Sequence, residues 1–130
     1  MDMRLIVAGS RSFNDYGLMS DEITNEVEAL AHLTESRLSI VSGGARGADA
    51  LGERWAREIG VPIHRFPADW NRYGRRAGYL RNMEMAEFAT DALIFWDGVS
   101  PGSRHMIAIC AEFDLPHRVV KYVPERAPVV

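Results

Sequence analysis

Short apolar runs alternate with segments of helical periodicity along the chain, and this alternation restricts the fold more than any other feature. The runs at 5–8, 38–41, 62–66, 92–96 and 119–123 each have the length of a strand. Strands that alternate with helices indicate right-handed βαβ units and a mostly parallel sheet covered on both faces. We therefore predict an α/β doubly wound three-layer sandwich with a five-stranded sheet, ordered 3-2-1-4-5.

Capping residues and apolar spacing predict the helices between these strands. Ser20 is the predicted N-cap of the first helix, because acidic residues follow it in the first turn. Leu51, Trp55 and Ile59 are spaced as the inner stripe of the second helix. Residues 67–76 are predicted to form a loop long enough to cover a site.

A third helix is predicted over 77–89 and a fourth helix after the turn at 97–104. The helix at 77–89 would bury either Met83 or Met85, since both fit its apolar face. The pattern places a single domain at 1–123 and a flexible tail at 124–130.

Composition is that of an ordinary globular protein, with 47% hydrophobic and 25% charged residues among 130. Cys110 is the only cysteine, so no internal disulfide can form, and its apolar surroundings predict a small buried side chain. No apolar run approaches the roughly 20 residues that span a bilayer, and no signal segment is evident. We expect a cytoplasmic protein without a membrane partner.

The sequence SGGARGAD at 42–49 is the clearest candidate for a ligand site. It joins the second strand to a helix that begins near Ala48, so backbone N–H groups and the positive end of the helix dipole would face one small volume. Gly43, Gly44 and Gly47 would let a ligand lie against the backbone. Arg46 adds a forked cation for an anionic ligand. Asp49 would either hold ribose hydroxyls or Arg46, or interact only with the dipole of its helix as a carboxylate of the first turn.

Two more glycine-bearing loops follow the first and fourth strands, and the strand order places all three at one edge of the sheet. Arg11 could clamp a phosphate there, and Asn82 is a polar residue within an apolar helix. The full set of candidate ligand-binding residues is Gly9, Ser10, Arg11, Ser42, Gly43, Gly44, Arg46, Gly47, Asp49, Arg81, Asn82, Asp97, Gly98, Ser100, Gly102 and Ser103.

Four ordered blocks of this sequence resemble the SLOG superfamily, in its YspA/YpsA-related branch. They are GSRSFNDY at 9–16, VSGGARGADALGERWA at 41–56, PADWNRYGRRAGYLRNMEMAE at 67–87 and FWDGVSPGSRHMI at 95–107. The resemblance implies a Rossmann-like fold and a ligand of the ADP-ribose, NAD or nucleoside phosphate class, bound by a sensor or a nucleotide-processing protein. It names no cofactor. Relatives tend to self-associate, which makes a homo-oligomer a candidate arrangement.

An alternative is a hydrolase of the N-glycosidic bond. The cytokinin-activating phosphoribohydrolases, similar in fold, carry PGGxGTxxE, whereas PGSRHM here puts Ser103 near the threonine position and Met106 at the glutamate position. A thioether cannot act as an acid or a base. A carboxylate would have to come from elsewhere: Asp49, Asp69, Glu84 or Asp97.

The remaining alternative is binding of single-stranded nucleic acid, as in DNA-processing protein A, whose SGxAxGID resembles residues 42–49. Four arginines and no carboxylate lie between Arg72 and Arg81, although the net charge of −3 disfavours a general nucleic-acid binder. Trp70, Tyr73 and Tyr79 could stack on a base.

No metal site is predicted, because the four histidines have no ligand-like spacing and only one cysteine is present. His105, beside the loop that follows the fourth strand, is the histidine that could serve as an acid or base. No G-x-S-x-G elbow or paired nucleophile is present, which argues against acyl-transfer chemistry.

Overall fold

The computed structural model describes residues 2–31 and 37–124, and its five strands form one parallel sheet in the order β3-β2-β1-β4-β5. The predicted fold class and strand order are therefore confirmed. In chain order the elements are β1 Asp2–Gly9, α1 Tyr16–Ala31, β2 Arg37–Ser42, α2 Ala48–Ile59, β3 Ile63–Arg65, α3 Trp70–Tyr73, a 3-10 turn Gly74–Arg76, α4 Ala77–Phe88, β4 Asp91–Trp96, α5 Pro101–Glu112 and β5 His117–Lys121.

Side chains of the central strand β1 alternate between two apolar cores. Leu5 and Val7 pack with residues of α1 and α2, and Ile6 and Ala8 pack with residues of α4 and α5. This alternation follows from the two-residue period of a strand, and burial on both faces explains why β1 reads as a continuous apolar run. Cys110 is fully buried in the second core, as predicted.

The first helix begins at Tyr16, not after Ser20. Asp15 Oδ1 accepts a hydrogen bond of 3.0 Å from the backbone N–H of Leu18, and this is the geometry of an N-cap. Asp15 and Ser20 are both residues of capping type and lie five positions apart, and the helix begins after the earlier one.

Ile59 was predicted on the inner stripe of α2, and this was wrong, since its side chain is 60% exposed. The helix approaches β1 closely at Gly52, where an added Cβ would lie 2.7 Å from Val7 Cγ1. Small residues at the inner face, such as Gly52 and Ala56, permit this approach. A prediction from the spacing of large apolar residues does not include them. Trp55 is buried as predicted.

The segment predicted as a loop at 67–76 contains α3 and the 3-10 turn. Asp69 caps α3, because its Oδ1 accepts a hydrogen bond of 3.1 Å from the N–H of Arg72. Of the two methionines that fit the apolar face of α4, Met85 is buried and Met83 is 38% exposed. β5 lies two residues earlier than the predicted strand at 119–123, because its pairing with β4 runs from His117 to Lys121.

Residues 125–130, most of the predicted tail, lie outside the described part of the chain, so the domain boundary stays a prediction. Among the described helices, none combines the length and the hydropathy that crossing a bilayer requires.

Candidate functional site

A cleft of about 640 Å³ opens at the carboxyl edge of the sheet, above β1 and β4. We call it the rim cleft. Its walls come from the loop after β1, the turn after β2, α3, α4 and the start of α5. The candidate residues that line it are Gly9, Ser10, Arg11, Arg46, Asp49, Arg81, Asn82, Asp97, Ser100, Gly102 and Ser103.

The other five candidates do not line the rim cleft. Gly43 and Gly44 line an adjacent cleft. Ser42 is fully buried, and its Oγ donates a hydrogen bond of 2.7 Å to Glu53 Oε2. An added Cβ on Gly47 would lie 2.5 Å from the carbonyl oxygen of Arg11, and one on Gly98 would lie 3.4 Å from Lys121 Cε.

Backbone amides of the glycine turn are largely used within the protein. The N–H of Gly44 bonds to Ser42 Oγ at 3.1 Å, and that of Ala45 bonds to Asp49 Oδ2 at 3.1 Å. The first amide of α2, on Ala48, donates to the carbonyl oxygen of Ser10 at 3.3 Å. These three amides of the predicted anion cradle are thus bonded to protein acceptors.

The N-terminus of α5 provides the better-placed amides. Ser100 is its N-cap residue and Pro101 opens the helix, so the N–H groups of Gly102 and Ser103 have no partner within the helix. Both residues line the rim cleft. The positive end of the α5 dipole therefore faces the cleft, and this arrangement favours an anionic group.

Asp97 holds the turn that leads into α5. Its Oδ1 accepts from the N–H groups of Val99 and Ser100 at 2.9 and 2.7 Å, and its Oδ2 accepts from Ser100 Oγ at 2.6 Å. Burial opposes ionisation, but these hydrogen bonds outweigh it and lower the pKa of Asp97 to about 2. The Asp97 N–H in turn donates to Ser10 Oγ at 3.1 Å, which joins the loop after β1 to this turn.

Asp49 is a buried carboxyl that lines the rim cleft, with 5% of its surface exposed. Burial raises the pKa of Asp49 to about 6, although the Ala45 N–H and the charge of Arg81 act in the opposite direction. This carboxyl can therefore exchange a proton near neutral pH.

Arg81, Asn82 and His105 form a chain of hydrogen bonds between α4 and α5. Arg81 Nε donates to Asn82 Oδ1 at 3.1 Å, which fixes the orientation of the amide. Asn82 Nδ2 then faces His105 Nδ1 at 3.1 Å, and since an amide nitrogen only donates, Nδ1 accepts and the imidazole proton is on Nε2. Burial lowers the pKa of His105, which agrees with a neutral ring.

Trp70 and Tyr79 line the rim cleft and are 51% and 47% exposed. Tyr73, 44% exposed, does not line the cleft, and the Arg72 guanidinium lies over its ring at 5.2 Å. The two cleft aromatics were named for base stacking but were not among the candidate site residues. Both lie in the third resembling block, at 67–87, which also contains Asn82. This shared position is the signal that could have added them to the candidate site residues.

The arginine patch from Arg72 to Arg81 is divided by the fold. Arg75 lines the rim cleft together with Arg81, whereas Arg76 is exposed and does not line it. A nucleic-acid partner stays an untested prediction.

The carboxylates considered for hydrolysis are also separated. Asp69 caps α3 and Glu84 is exposed away from the rim cleft, so Asp49 and Asp97 are the carboxylates among its described lining residues. Met106, at the position of the phosphoribohydrolase glutamate, lines the cleft and is 1% exposed.

Comparison with known proteins adds a family context to this geometry. A family model described as the YspA, cpYpsA-related SLOG family matches residues 3–73. The chain is 36% identical over 121 residues to the Gene 61 protein of Mycobacterium phage D29, an alignment that covers 87% of this chain and 92% of that protein. No solved structure matches the chain.

Proposed function

The chain belongs to the YspA, cpYpsA-related SLOG family, and we propose from this membership and its rim cleft that it binds a nucleoside phosphate or a related nucleotide-derived ligand. One observation carries the proposal. Gly102 and Ser103, whose amides have no partner within α5, line the same cleft as two exposed aromatic rings, those of Trp70 and Tyr79. Phosphate and base are the two parts of a nucleotide that such groups bind.

Electrostatics support an anionic ligand. Four arginines line the rim cleft, against two carboxyls, Asp49 and Asp97. The carboxylate of Asp97 is bonded within its own turn, and Asp49 takes up a proton near pH 6. The cleft therefore carries excess positive charge in which a phosphate is stabilised.

In the proposed complex the phosphate lies at the start of α5 and the base lies against Trp70 and Tyr79. Arg46 is exposed, lines the cleft and reaches the phosphate from the turn after β2. A protein of this kind acts as a sensor of the nucleotide or processes it.

Isothermal calorimetry with AMP, ADP-ribose, NAD and cyclic nucleotides tests the proposal. We expect saturable binding to at least one of them, weakened by Arg46→Ala by about 1.5 to 3 kcal/mol, the value of a hydrogen bond to a charged group. Arg37→Ala is the matched control, because Arg37 is an exposed arginine at the opposite end of β2. Absence of binding across all four ligand types would refute the proposal.

A second candidate function is hydrolysis of the N-glycosidic bond, and the observation that favours it is the position of Asp49. Its carboxyl lines the cleft and is protonated in part near pH 6, which suits a general acid. In this reaction water attacks the anomeric carbon, the bond from carbon to base nitrogen breaks, and the Asp49 proton goes to the departing base. The proton that the water loses returns to the Asp49 carboxylate.

Incubation with nucleoside monophosphates, followed by chromatography of the free base, tests this candidate. Asp49→Asn keeps an acceptor for the Ala45 N–H but removes the titrating proton, so we expect it to abolish base release while leaving binding. Release at the background rate by the unaltered protein would dismiss hydrolysis without affecting the binding proposal.

A further inference from the structure

A second cleft, of about 670 Å³, lies beside the rim cleft above β2 and β3. Pro67 and Ala68 line only this cleft, and Gly43 and Gly44 form its edge at the end of β2. The residues that line both clefts are Arg11, Ala45, Arg46, Trp70 and Arg81. The two clefts therefore meet at a junction that carries three arginines and one indole ring.

Arg81 is held at this junction with donor capacity left over. Its Nη1 donates to the carbonyl oxygen of Gly43 at 2.6 Å and its Nε donates to Asn82 Oδ1 at 3.1 Å. Its Nη2 has no hydrogen-bond partner in the part of the chain that the structure describes. A guanidinium fixed on two sides presents its free edge to a phosphate without losing much conformational freedom.

The far end of the second cleft carries little net charge. Glu53 is 7% exposed. It accepts hydrogen bonds from Ser42 Oγ and Arg65 Nε at 2.7 Å each and pairs with Arg65 Nη2 at 2.6 Å. Because Arg65 is neutralised by this pairing, the excess positive charge lies at the junction. The second cleft thus suits an uncharged nucleoside better than another phosphate.

The clefts extend along the sheet edge from β3 to β4. In the order β3-β2-β1-β4 these strands are separated by three spacings, about 14 Å in all at the usual distance between strands. Each cleft has the volume of a typical small-molecule site.

We propose that the two clefts form one bipartite site for a dinucleotide, with a nucleoside in each cleft and the bridging phosphate at Arg11, Arg46 and Arg81. This rests on the proposed function, because the rim cleft is taken as the site of the first nucleoside. In a dinucleotide its base stays against Trp70 and Tyr79, and the bridging phosphate lies at the junction instead of at the start of α5, where the phosphate of a mononucleotide lies. Trp70, which lines both clefts, lies beside both nucleosides.

Calorimetry with three probes tests the bipartite site: AMP, diadenosine diphosphate, and two adenosines joined by a phosphodiester. We expect at least one dinucleotide to bind about tenfold or more tightly than AMP, which corresponds to about 1.4 kcal/mol. The tighter of the two identifies the linkage, pyrophosphate or phosphodiester.

Ala68→Phe locates the second nucleoside, because Ala68 lines the second cleft and not the rim cleft. This variant should reduce dinucleotide affinity to that of AMP and leave AMP affinity unchanged. Ala111→Phe is the control, since Ala111 is exposed on α5 and lines neither cleft. Ala68→Asp adds charge in place of volume and should have the same effect, which covers the case in which the larger side chain prevents folding.

Equal affinities for AMP and both dinucleotides would overturn the bipartite site and leave the proposed function in place. Dinucleotide binding that Ala68→Phe and Ala68→Asp do not reduce would also overturn it. If AMP and both dinucleotides all fail to bind, the bipartite site is overturned, and the proposed function is decided by ADP-ribose, NAD and the cyclic nucleotides of the first experiment.

Discussion

Arg81 Nη1 donates a hydrogen bond of 2.6 Å to the carbonyl oxygen of Gly43, and this bond joins α4 to the turn after β2. An added Cβ on Gly43 would lie 2.4 Å from the same Nη1 atom and 2.9 Å from Asp49 Oδ2. Gly43 is therefore required for the approach of two side chains of the protein itself. The turn that marked the site in the sequence is a structural support for Arg81 and Asp49.

The first prediction concerns the charge of Arg81. Its proximity lowers the pKa of Asp49 against the larger effect of burial, and the result is about 6. Arg81→Met removes that charge and should raise the Asp49 pKa further. Carbon-detected NMR titration of the Asp49 carboxyl measures it, with Arg37→Met as the distant control. An Asp49 pKa that stays the same or falls in Arg81→Met would contradict the assignment.

The second prediction is a dependence of stability on pH. The pKa of Asp49 is about 6 in the fold, compared with an ordinary value of 3.8, so between these values the folded state binds more protons than the unfolded state. Stability from this group is present below pH 3.8, falls as the pH rises through this interval and stays lower above pH 6.

Asp49→Asn isolates this contribution because it cannot titrate. Its free energy of unfolding relative to the unaltered protein should rise by about 2 to 3 kcal/mol between about pH 4 and about pH 7. Urea denaturation of both proteins at each pH gives the difference. A difference that does not change with pH would show that Asp49 titrates normally.

The sequence predicted the architecture well because strand order and layering depend on the apolar pattern, which β1 carries on both faces. It predicted that the loops after β1, β2 and β4 lie at one edge for the same reason, since parallel strands bring their following loops together there. It could not predict how polar atoms pair. The N–H of Ala48 bonds to the carbonyl oxygen of Ser10, which is 38 positions away in the sequence, so no local pattern indicates that this amide is occupied.

The same limit explains why the start of α5, which lines the rim cleft, was only the second choice of the sequence analysis. The SGGARGAD turn has more glycines than the turn before α5, and glycine content was taken as a sign of backbone open to a ligand. In the structure Gly43 and Gly47 make room for Arg81 and Arg11, respectively. The amide of Gly102 lies at the start of α5. The turn before this helix is held by Asp97, which accepts a hydrogen bond from the N–H of Ser100.

The third prediction compares two glycines of the turn that both have a positive φ. Gly44 and Gly47 have φ of 75° and 78°, but an added Cβ meets nothing within 4 Å at Gly44 and lies 2.5 Å from the Arg11 carbonyl oxygen at Gly47. Gly44→Ala should cost about 1 to 2 kcal/mol from backbone strain alone. Gly47→Ala should cost clearly more, because the backbone of Arg11 must also move. Thermal unfolding measures both, and equal losses would mean that the contact does not matter.

The fourth prediction concerns the link between the loops after β1 and β4. Ser10 is 2% exposed, and its Oγ accepts the hydrogen bond of the Asp97 N–H. Ser10→Ala leaves that N–H without its acceptor and should cost about 1 to 3 kcal/mol of stability. Ser103→Ala is the control, since the Ser103 Oγ makes a long contact of 3.5 Å to Ser10 Oγ. The interpretation fails if chemical denaturation shows that the two variants lose the same stability.

The fifth prediction tests whether the ring of Trp70 stacks on the base of a bound nucleotide. Trp70 lines the rim cleft and Tyr73, on the same helix, does not, although both side chains are about half exposed. Trp70→Ala should weaken nucleotide binding by about 1 to 3 kcal/mol, the usual value for one stacked base, and Tyr73→Ala should leave it unchanged. Because neither side chain is buried, both variants should keep their melting temperature within a few degrees. Calorimetry with the best-binding nucleotide gives the comparison. Equal losses of affinity would place the base elsewhere in the cleft.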